Sequence, residues 1–454
     1  MASGMSLLLP IYNLLLHTAG AGALGLLGRD MRRDAAFYDG RWGRHPMDRK
    51  PGGSPRIWLH AASVGETGGA VPIIRLLRDR LPGAAIFLTV GTLHGYRFAR
   101  ERIADTAFVL PAPFDFPNAV AGALRFMDPD VYAPVESEFW PNLFHALRRR
   151  EIPTLLLNGR LSDRSTKRYA LFGPLFRPIF KQFTHLAMHS AEDRENALRL
   201  GADPGRTLVV GTSKYDGLAM RVDVVKANGW GEILDAGAAS PVVVGGSLRG
   251  SECLELMRIF AAFRELHPEA LGVFVPRHLE RLPSMIEWLR KRGLPFQLLS
   301  EVASPDGRRT APIVVVDRIG VLFELYALGD LIFCGGSIEP GIGGHNVLEP
   351  AAWGKAVFYG PNIAKVRREH ACLDAAGAGF IVRNADDLLS AWTDWAGRLP
   401  ELRARGDRAR YAVARLAGAA ERQVELIMDV LSDVLNEDSA PRGPAHSRPD
   451  ERNE

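Results

Sequence analysis

Short apolar runs, rich in β-branched and aromatic residues, alternate with helical stretches along most of this chain. That alternation restricts the fold more than any other feature. Residues 57–61, 85–90, 131–135, 154–157 and 207–210 make one series, with helical stretches such as 70–80 and 191–200 between them. A second series begins at 241–244 and continues through 271–275, 313–316 and 331–334. Runs that are apolar throughout suit strands covered on both faces, as in parallel sheets flanked by helices. Two series predict an α/β protein with two doubly wound, Rossmann-like domains, and 454 residues accommodate both. The expected division is an anchor at 1–35, a first domain at 36–220, a linker at 221–240, a second domain at 241–425, and a helix end with tail at 426–454. From Ser439 onward the chain is polar and proline-rich, the composition of a disordered tail.

Residues 1–28 carry no charged side chain, and Arg29, Arg32 and Arg33 follow directly. The stretch from Met5 to Leu27 is long enough to enter a bilayer, with a basic flank of the cytoplasmic kind. Pro10, Asn13, His17 and several glycines make it a poor single helix, and charges that follow the apolar run do not suit a cleaved signal peptide. A monotopic membrane anchor with a cytoplasmic body is expected; a buried core helix is the alternative. The net charge of +4 and pI near 9.0 reflect local arginine clusters that suit anionic lipid or phosphate, although solvated faces would read the same. Cys253, Cys334 and Cys372 lack metal spacing, and their odd number argues against a disulfide framework.

Ligands of open parallel sheets sit at the carboxyl ends of strands, so the loops there carry the functional weight. After the run at 331–334 comes a glycine-rich loop, Gly335 to Gly344, then His345, Asn346 and Glu349 at the start of a helix. Strand, glycine loop and helix form a phosphate-binding layout, and a turn that uses glycine only for tight geometry is the competing reading. After the first strand, Ser63, Gly65 and Glu66 place a carboxylate at a helix start, where it either faces a cleft or merely complements the helix dipole. Glu136 and Glu138 stand beside Trp140-Pro141-Asn142 at another strand end, as functional carboxylates or as salt-bridge partners of Arg148 or Arg160. Arg160 and Arg164 follow the next strand, where guanidinium groups can grip phosphate.

Together these motifs resemble the 3-deoxy-D-manno-octulosonic acid (Kdo) transferase family of lipopolysaccharide synthesis. The resemblance rests on HAASVGE at 60–66, ESEFWPN at 136–142, NGRLSDRS at 158–165, GTSKYD at 211–216, PRHLER at 276–281, and GGS with GGHNVLEP across 335–350. It implies a GT-B glycosyltransferase with two domains facing a cleft, at the cytoplasmic face of the inner membrane. It also implies inverting transfer of Kdo from the donor CMP-Kdo to a lipid A precursor, without a metal or a nucleic-acid partner. By the same resemblance Glu66 is the general base. Ser63, Gly65, Glu136, Glu138, Arg160 and Arg164 lie on the acceptor side. Ser247, Arg277, His278, Gly336, Ser337, Gly344, His345, Asn346 and Glu349 hold the donor, and Lys214 is a further candidate for charge at the leaving group.

The second domain departs from the family pattern. Leu248 and Arg249 stand where the family usually has Thr and His, and Val321 stands where a glutamate is usual. A related 2-keto sugar acid donor, another nucleotide sugar, or a non-catalytic sugar-nucleotide binder are the alternatives. A nicotinamide-dependent oxidoreductase is disfavoured, because no G-x-G-x-x-G follows the first strand.

Overall fold

The computed structural model describes residues 8–18, 34–45 and 50–439. It divides into two units, Met1–Gly217 with Ala417–Glu454, and Leu218–Leu416.

In the first unit, β1 (Arg56–Ala61), β2 (Ala85–Val90), β3 (Phe108–Pro111) and β4 (Val131–Pro134) pair in the order β3-β2-β1-β4. A second ladder, β5 (Leu155–Gly159), β6 (His185–Met188) and β7 (Thr207–Val209), continues it through the bridges Tyr132–Thr154 and Val135–Leu157. Every pairing is parallel. Alternate residues of β1 face opposite layers: Trp58 packs with Phe87, Tyr132 and Phe144, whereas Ile57 and Leu59 pack with Ile73, Ile74 and Leu77 of the helix Val64–Arg80. Both faces are therefore covered, which is why the strands read as unbroken apolar runs.

The helix Ala419–Ser439 belongs to this unit, where it sets Val424, Ile427, Val430 and Leu431 into the layer beneath Val64–Arg80. Asp216 fixes the start of this helix by accepting from the Gly418 and Ala420 amides. The expected second-domain boundary at 425 thus moves to 416, because the apolar stripe that follows completes the first core.

The second unit holds a seven-stranded parallel sheet in the order β10-β11-β9-β8-β12-β13-β14. Its strands are β8 (Val242–Leu248), β9 (Leu271–Pro276), β10 (Phe296–Leu298), β11 (Ile313–Val315), β12 (Leu331–Cys334), β13 (Val357–Tyr359) and β14 (Gly379–Ile381). Phe260, Phe263, Phe274 and Trp392 are fully buried within it. The expected linker is structured: Val224–Ile233 is a helix that buries Ala227, and the Arg309 Nε donates to the Leu234 carbonyl at 2.5 Å.

Much of the expected anchor, residues 1–7 and 19–33, lies outside the described residues, as does the tail from 440. Residues 8–18 are helical. Leu9 is buried in the first unit's core, Tyr12 donates to Asp115 Oδ2 at 2.9 Å, and Asn142 Nδ2 donates to Asn13 Oδ1 at 2.6 Å. No helix among the described residues is long and apolar enough to cross a membrane.

Candidate functional site

The chain switches from one side of its sheet to the other between β1 and β4 in the first unit and between β8 and β12 in the second. Such switch points open a crevice at the strand ends. The sequence motifs gather at both.

In the first unit, Ser63 caps the helix Val64–Arg80, its Oγ accepting from the Glu66 amide at 3.4 Å. Glu66 returns the contact: the Ala62 amide donates to Oε2 at 2.5 Å and the Ser63 hydroxyl to Oε1 at 3.2 Å. The carboxylate is thereby folded back over the end of β1. Burial pushes its pKa up, the Ala62 amide opposes this, and the negative charges of Glu138 and Glu136 push it higher.

Glu136, in the left-handed region at φ 67°, forms an ion pair with Lys214. Glu138 lies 3.6 Å from His60 Nε2 and accepts from Trp140 Nε1 at 2.9 Å. Burial works against the charge of Glu138, but hydrogen bonding and charge from His60 overcome it and hold its pKa below the ordinary carboxylate value. His60 is 3% exposed, and its Nδ1 meets Thr89 Oγ1 at 2.9 Å while Trp58 Nε1 donates to the same hydroxyl at 2.8 Å. Two nearby carboxylates thus have opposite tendencies: the pKa of Glu66 is pushed up and that of Glu138 is pushed down. A group that takes up a proton beside one that stays charged is an acid–base arrangement.

The structure brings Ser63, Gly65, Glu66, Glu136 and Glu138 together and adds His60 and Lys214. Lys214, a candidate for charge at the leaving group, is the ion-pair partner of Glu136, and a Cβ on Gly65 would lie 3.9 Å from its Nζ. The expected salt bridges from these glutamates to Arg148 or Arg160 do not form among the described residues. Arg160 and Arg164 are exposed, and only the Arg160 amide, donating to the Glu136 carbonyl at 3.3 Å, ties either of them to the cluster. Sequence reasoning passed over His60 as a core residue, although it opens the HAASVGE motif.

A buried polar knot supports the helix that bears Glu66. Asn158, left-handed at φ 51°, donates its amide to Gln423 Oε1 at 2.8 Å and its Nδ2 to Ser213 Oγ at 2.7 Å. Ser213 Oγ donates in turn to the Gly69 carbonyl at 2.5 Å, and a Cβ at Gly69 would lie 2.9 Å from Asn158 Nδ2.

In the second unit, the first amides of the glycine loop after β12 are taken up by the chain itself. Gly336 N donates at 2.6 Å to Glu252 Oε2, which also accepts from Arg249 N at 3.0 Å. Ser337 N and Ile338 N reach Oε1 at 3.0 and 2.9 Å. Ser337 is buried as a strap, its Oγ donating to the Cys334 carbonyl and accepting from Gly360 N, both at 2.8 Å. The helix after the loop, Leu348–Ala352, has only five residues, and Asn346 Oδ1 accepts from its Leu348 amide at 3.1 Å. Of the expected phosphate cradle, the amides of Gly336, Ser337, Ile338 and Leu348 are thus already bonded to side chains of the chain itself.

Positive charge gathers at His345 instead. Its ring packs on Gly336 and its buried Nε2 has no hydrogen-bond partner. Burial first, then Arg277, Arg249, Lys365 and His278, lower its pKa to about 4. Arg277 and His278 are exposed at the end of β9, and Arg249 Nε is buried without a partner. These unneutralised donors suit an anion. Gly344 keeps φ 87° and donates to the Gly336 carbonyl at 2.7 Å. Ser247, at φ 53°, hydrogen-bonds the buried Tyr326. Glu349 is paired with Arg221 at 3.1 Å, and burial holds its carboxyl above the ordinary value despite Arg221 and Arg277.

Two parallel doubly wound sheets make this an α/β protein of the glycosyltransferase fold. The glycosyltransferase of Rickettsia africae superposes with a TM-score of 0.54, at 15% identity over 84% of this chain and 98% of that one. The UDP-GlcNAc 2-epimerase of Neisseria meningitidis gives 0.56, at 15% identity over 82% and 99%. The chain belongs to the 3-deoxy-D-manno-octulosonic acid transferase family, a family of glycosyltransferases. Residues 37–217 match that family's model, 3-deoxy-D-manno-octulosonic-acid transferase (kdotransferase). The mitochondrial 3-deoxy-D-manno-octulosonic acid transferase named in Arabidopsis thaliana is 31% identical over 70% of this chain and 71% of its own length. The corresponding transferase of Haemophilus influenzae is 27% identical over 83% and 87%.

Proposed function

We propose that this chain transfers Kdo from CMP-Kdo to a hydroxyl of a lipid A precursor, with inversion at the anomeric carbon. The observation that carries the reading is the carboxylate cluster around Glu66, in which one half-buried acid is held ready for a proton beside an acid kept charged. The acceptor oxygen attacks the anomeric carbon of Kdo, the carbon–oxygen bond to the phosphate breaks, and CMP departs with the electron pair. Glu66 takes the acceptor's proton as the new bond forms. The charge of Glu138 raises the basicity of Glu66, while Lys214 pairs with Glu136. In the second unit, the cations around His345 suit the donor's negative groups, and Glu349 suits hydroxyls of the ribose. Arg160 and Arg164, exposed and unpaired in the first unit, suit anionic groups of the acceptor.

Attachment to the cytoplasmic face of the inner membrane is part of the same reading. Helix 8–18 turns Leu9 inward while Ile11, Leu14 and Leu15 stay 56%, 66% and 63% exposed, an apolar face that suits the interfacial region of a bilayer. Incubating the purified protein with CMP-Kdo and a tetraacyl lipid A precursor, then weighing the product, tests the activity. A mass increase of one or more Kdo residues is expected, and an unchanged acceptor would refute it.

A further inference from the structure

Glu252 is 1% exposed, carries no cationic partner among its hydrogen bonds, and accepts four backbone N–H bonds from two loops. It is the first residue of the helix Glu252–Leu266. A carboxylate in such a nest of amides replaces the anion that a glycine loop would otherwise recruit from outside. The same loops are clasped again at their outer edge, where Glu339 Oε1 accepts from Ser251 N at 2.5 Å and from Ser251 Oγ at 2.8 Å.

Two of the four backbone points held by Glu252, at Arg249 and Gly336, lead to the basic cluster. Arg249 N is one of its four donors. Gly336, at φ 71°, is another, and its Cα hydrogens form the surface on which His345 packs: a Cβ there would lie 2.6 Å from the ring. The Gly336 carbonyl holds Gly344 N at 2.7 Å, and the Gly343 carbonyl beside it holds Lys365 N at 2.9 Å. Arg277 N is bonded to the Leu248 carbonyl at 2.8 Å, immediately before Arg249.

We propose that Glu252 is a positioning residue for the donor: an internal anion that fills the amide nest of the glycine loop and fixes Arg249, His345 and Lys365 as the receptor for the ligand's negative charge. This inference rests on the assignment of the donor to the second unit. Glu252 does not touch the ligand. It excludes the phosphate from the loop amides and directs it to the side chains, so donor recognition depends on guanidinium and ammonium groups more than on backbone.

Glu252→Gln in the full-length protein tests this. One carboxamide oxygen cannot serve donors converging from two sides, and the NH2 group faces amide hydrogens. Exchange of the 336–338 amides is expected to accelerate, and the KM for CMP-Kdo to rise ~10–100-fold, the equivalent of one charge-assisted hydrogen bond. The KM for the acceptor stays within about twofold, a split that general destabilisation would not give. If that variant does not fold, Glu252→Ala with added formate replaces it, and formate should restore slow exchange at 336–338 and CMP binding. Unchanged amide exchange and unchanged donor KM in Glu252→Gln, or no response of Glu252→Ala to formate, would overturn the proposal. Wild-type protein that does not bind CMP would count against the donor assignment alone, because the exchange measurement needs no ligand.

Discussion

The carboxylates of Glu66 and Glu138 are similar in chemistry and opposite in tendency, and that contrast yields two predictions. Glu66→Gln keeps the packing but removes the proton acceptor. Turnover should fall by ~10²–10⁴-fold, while CMP affinity, measured by calorimetry, stays as in the wild type. A carboxylate that only complemented its helix dipole would instead leave turnover almost normal. The second prediction concerns pH. A base works deprotonated, and Glu66 is raised first by burial and further by Glu138 and Glu136, so the acidic limb of kcat/KM should lie above the ordinary carboxylate range. Replacing Glu138 by Gln removes one negative neighbour, so the Glu66 pKa falls and the limb moves to lower pH; a limb that stays in place would separate the two residues. Local sequence marked Glu136 and Glu138 as unusual, whereas Glu66 read locally as a carboxylate complementing its helix dipole and became the candidate base only through the family resemblance. It could not show that His60 backs Glu138, because a histidine inside an apolar strand reads as core until a strand crossing places Glu138 3.6 Å away. For the same reason no local signal marked Lys214, distant along the chain, as the ion-pair partner of Glu136.

At the scale of elements, the helix Ala419–Ser439 acts on the site through Gln423. Its Oε1 accepts from Asn158 N and its Nε2 donates to Asn158 Oδ1 at 2.9 Å, inside the knot that grips the Gly69 carbonyl. Gln423→Leu leaves a buried amide unsatisfied, which costs about 1–3 kcal/mol. Thermal unfolding should therefore drop by several degrees, and turnover should fall as well, since the helix bearing Glu66 loses its tether. Most strands were legible because both their faces are apolar. The ones missed, β3, β6, β10, β13 and β14, have only three or four residues. Of these β3, β10 and β14 are sheet edges, where partial exposure breaks the hydrophobic run. The glycine loop stands at the strand end where the sequence put it, with an acid holding its first amides. A loop rich in amides and an acid 84 residues earlier give no local sign that the second already fills the first.

For the molecule as a whole, the first unit is built from two separate stretches of chain and the second from one. Val424, Ile427, Val430 and Leu431 each leave water on joining the first core, roughly 1.5–3 kcal/mol apiece. Their sum rivals the entire stability of an ordinary domain. A chain ending at residue 416 should therefore lose the first unit's cooperative transition in calorimetry, whereas a fragment of 218–416 should fold and give dispersed amide resonances. Retention of both transitions in the truncated chain would contradict this account. The sequence made both sheets visible but not this split. A helix that returns to an earlier core has the same amphipathic pattern as one that stays with its neighbours.

The return of the chain also has a consequence during synthesis. On the ribosome, the first unit cannot close until the helix Ala419–Ser439 has emerged, although all its strands are out by residue 209. The stretch from 217 to 439 takes roughly 10–45 s at the usual ~5–20 residues per second. Over that interval Ile73, Ile74 and Leu77 lack part of their cover, and the whole of the second unit, 218–416, is synthesised before that cover arrives. The second unit therefore has its full sequence before the first does, and the half that carries Glu66 waits longest for its last core helix.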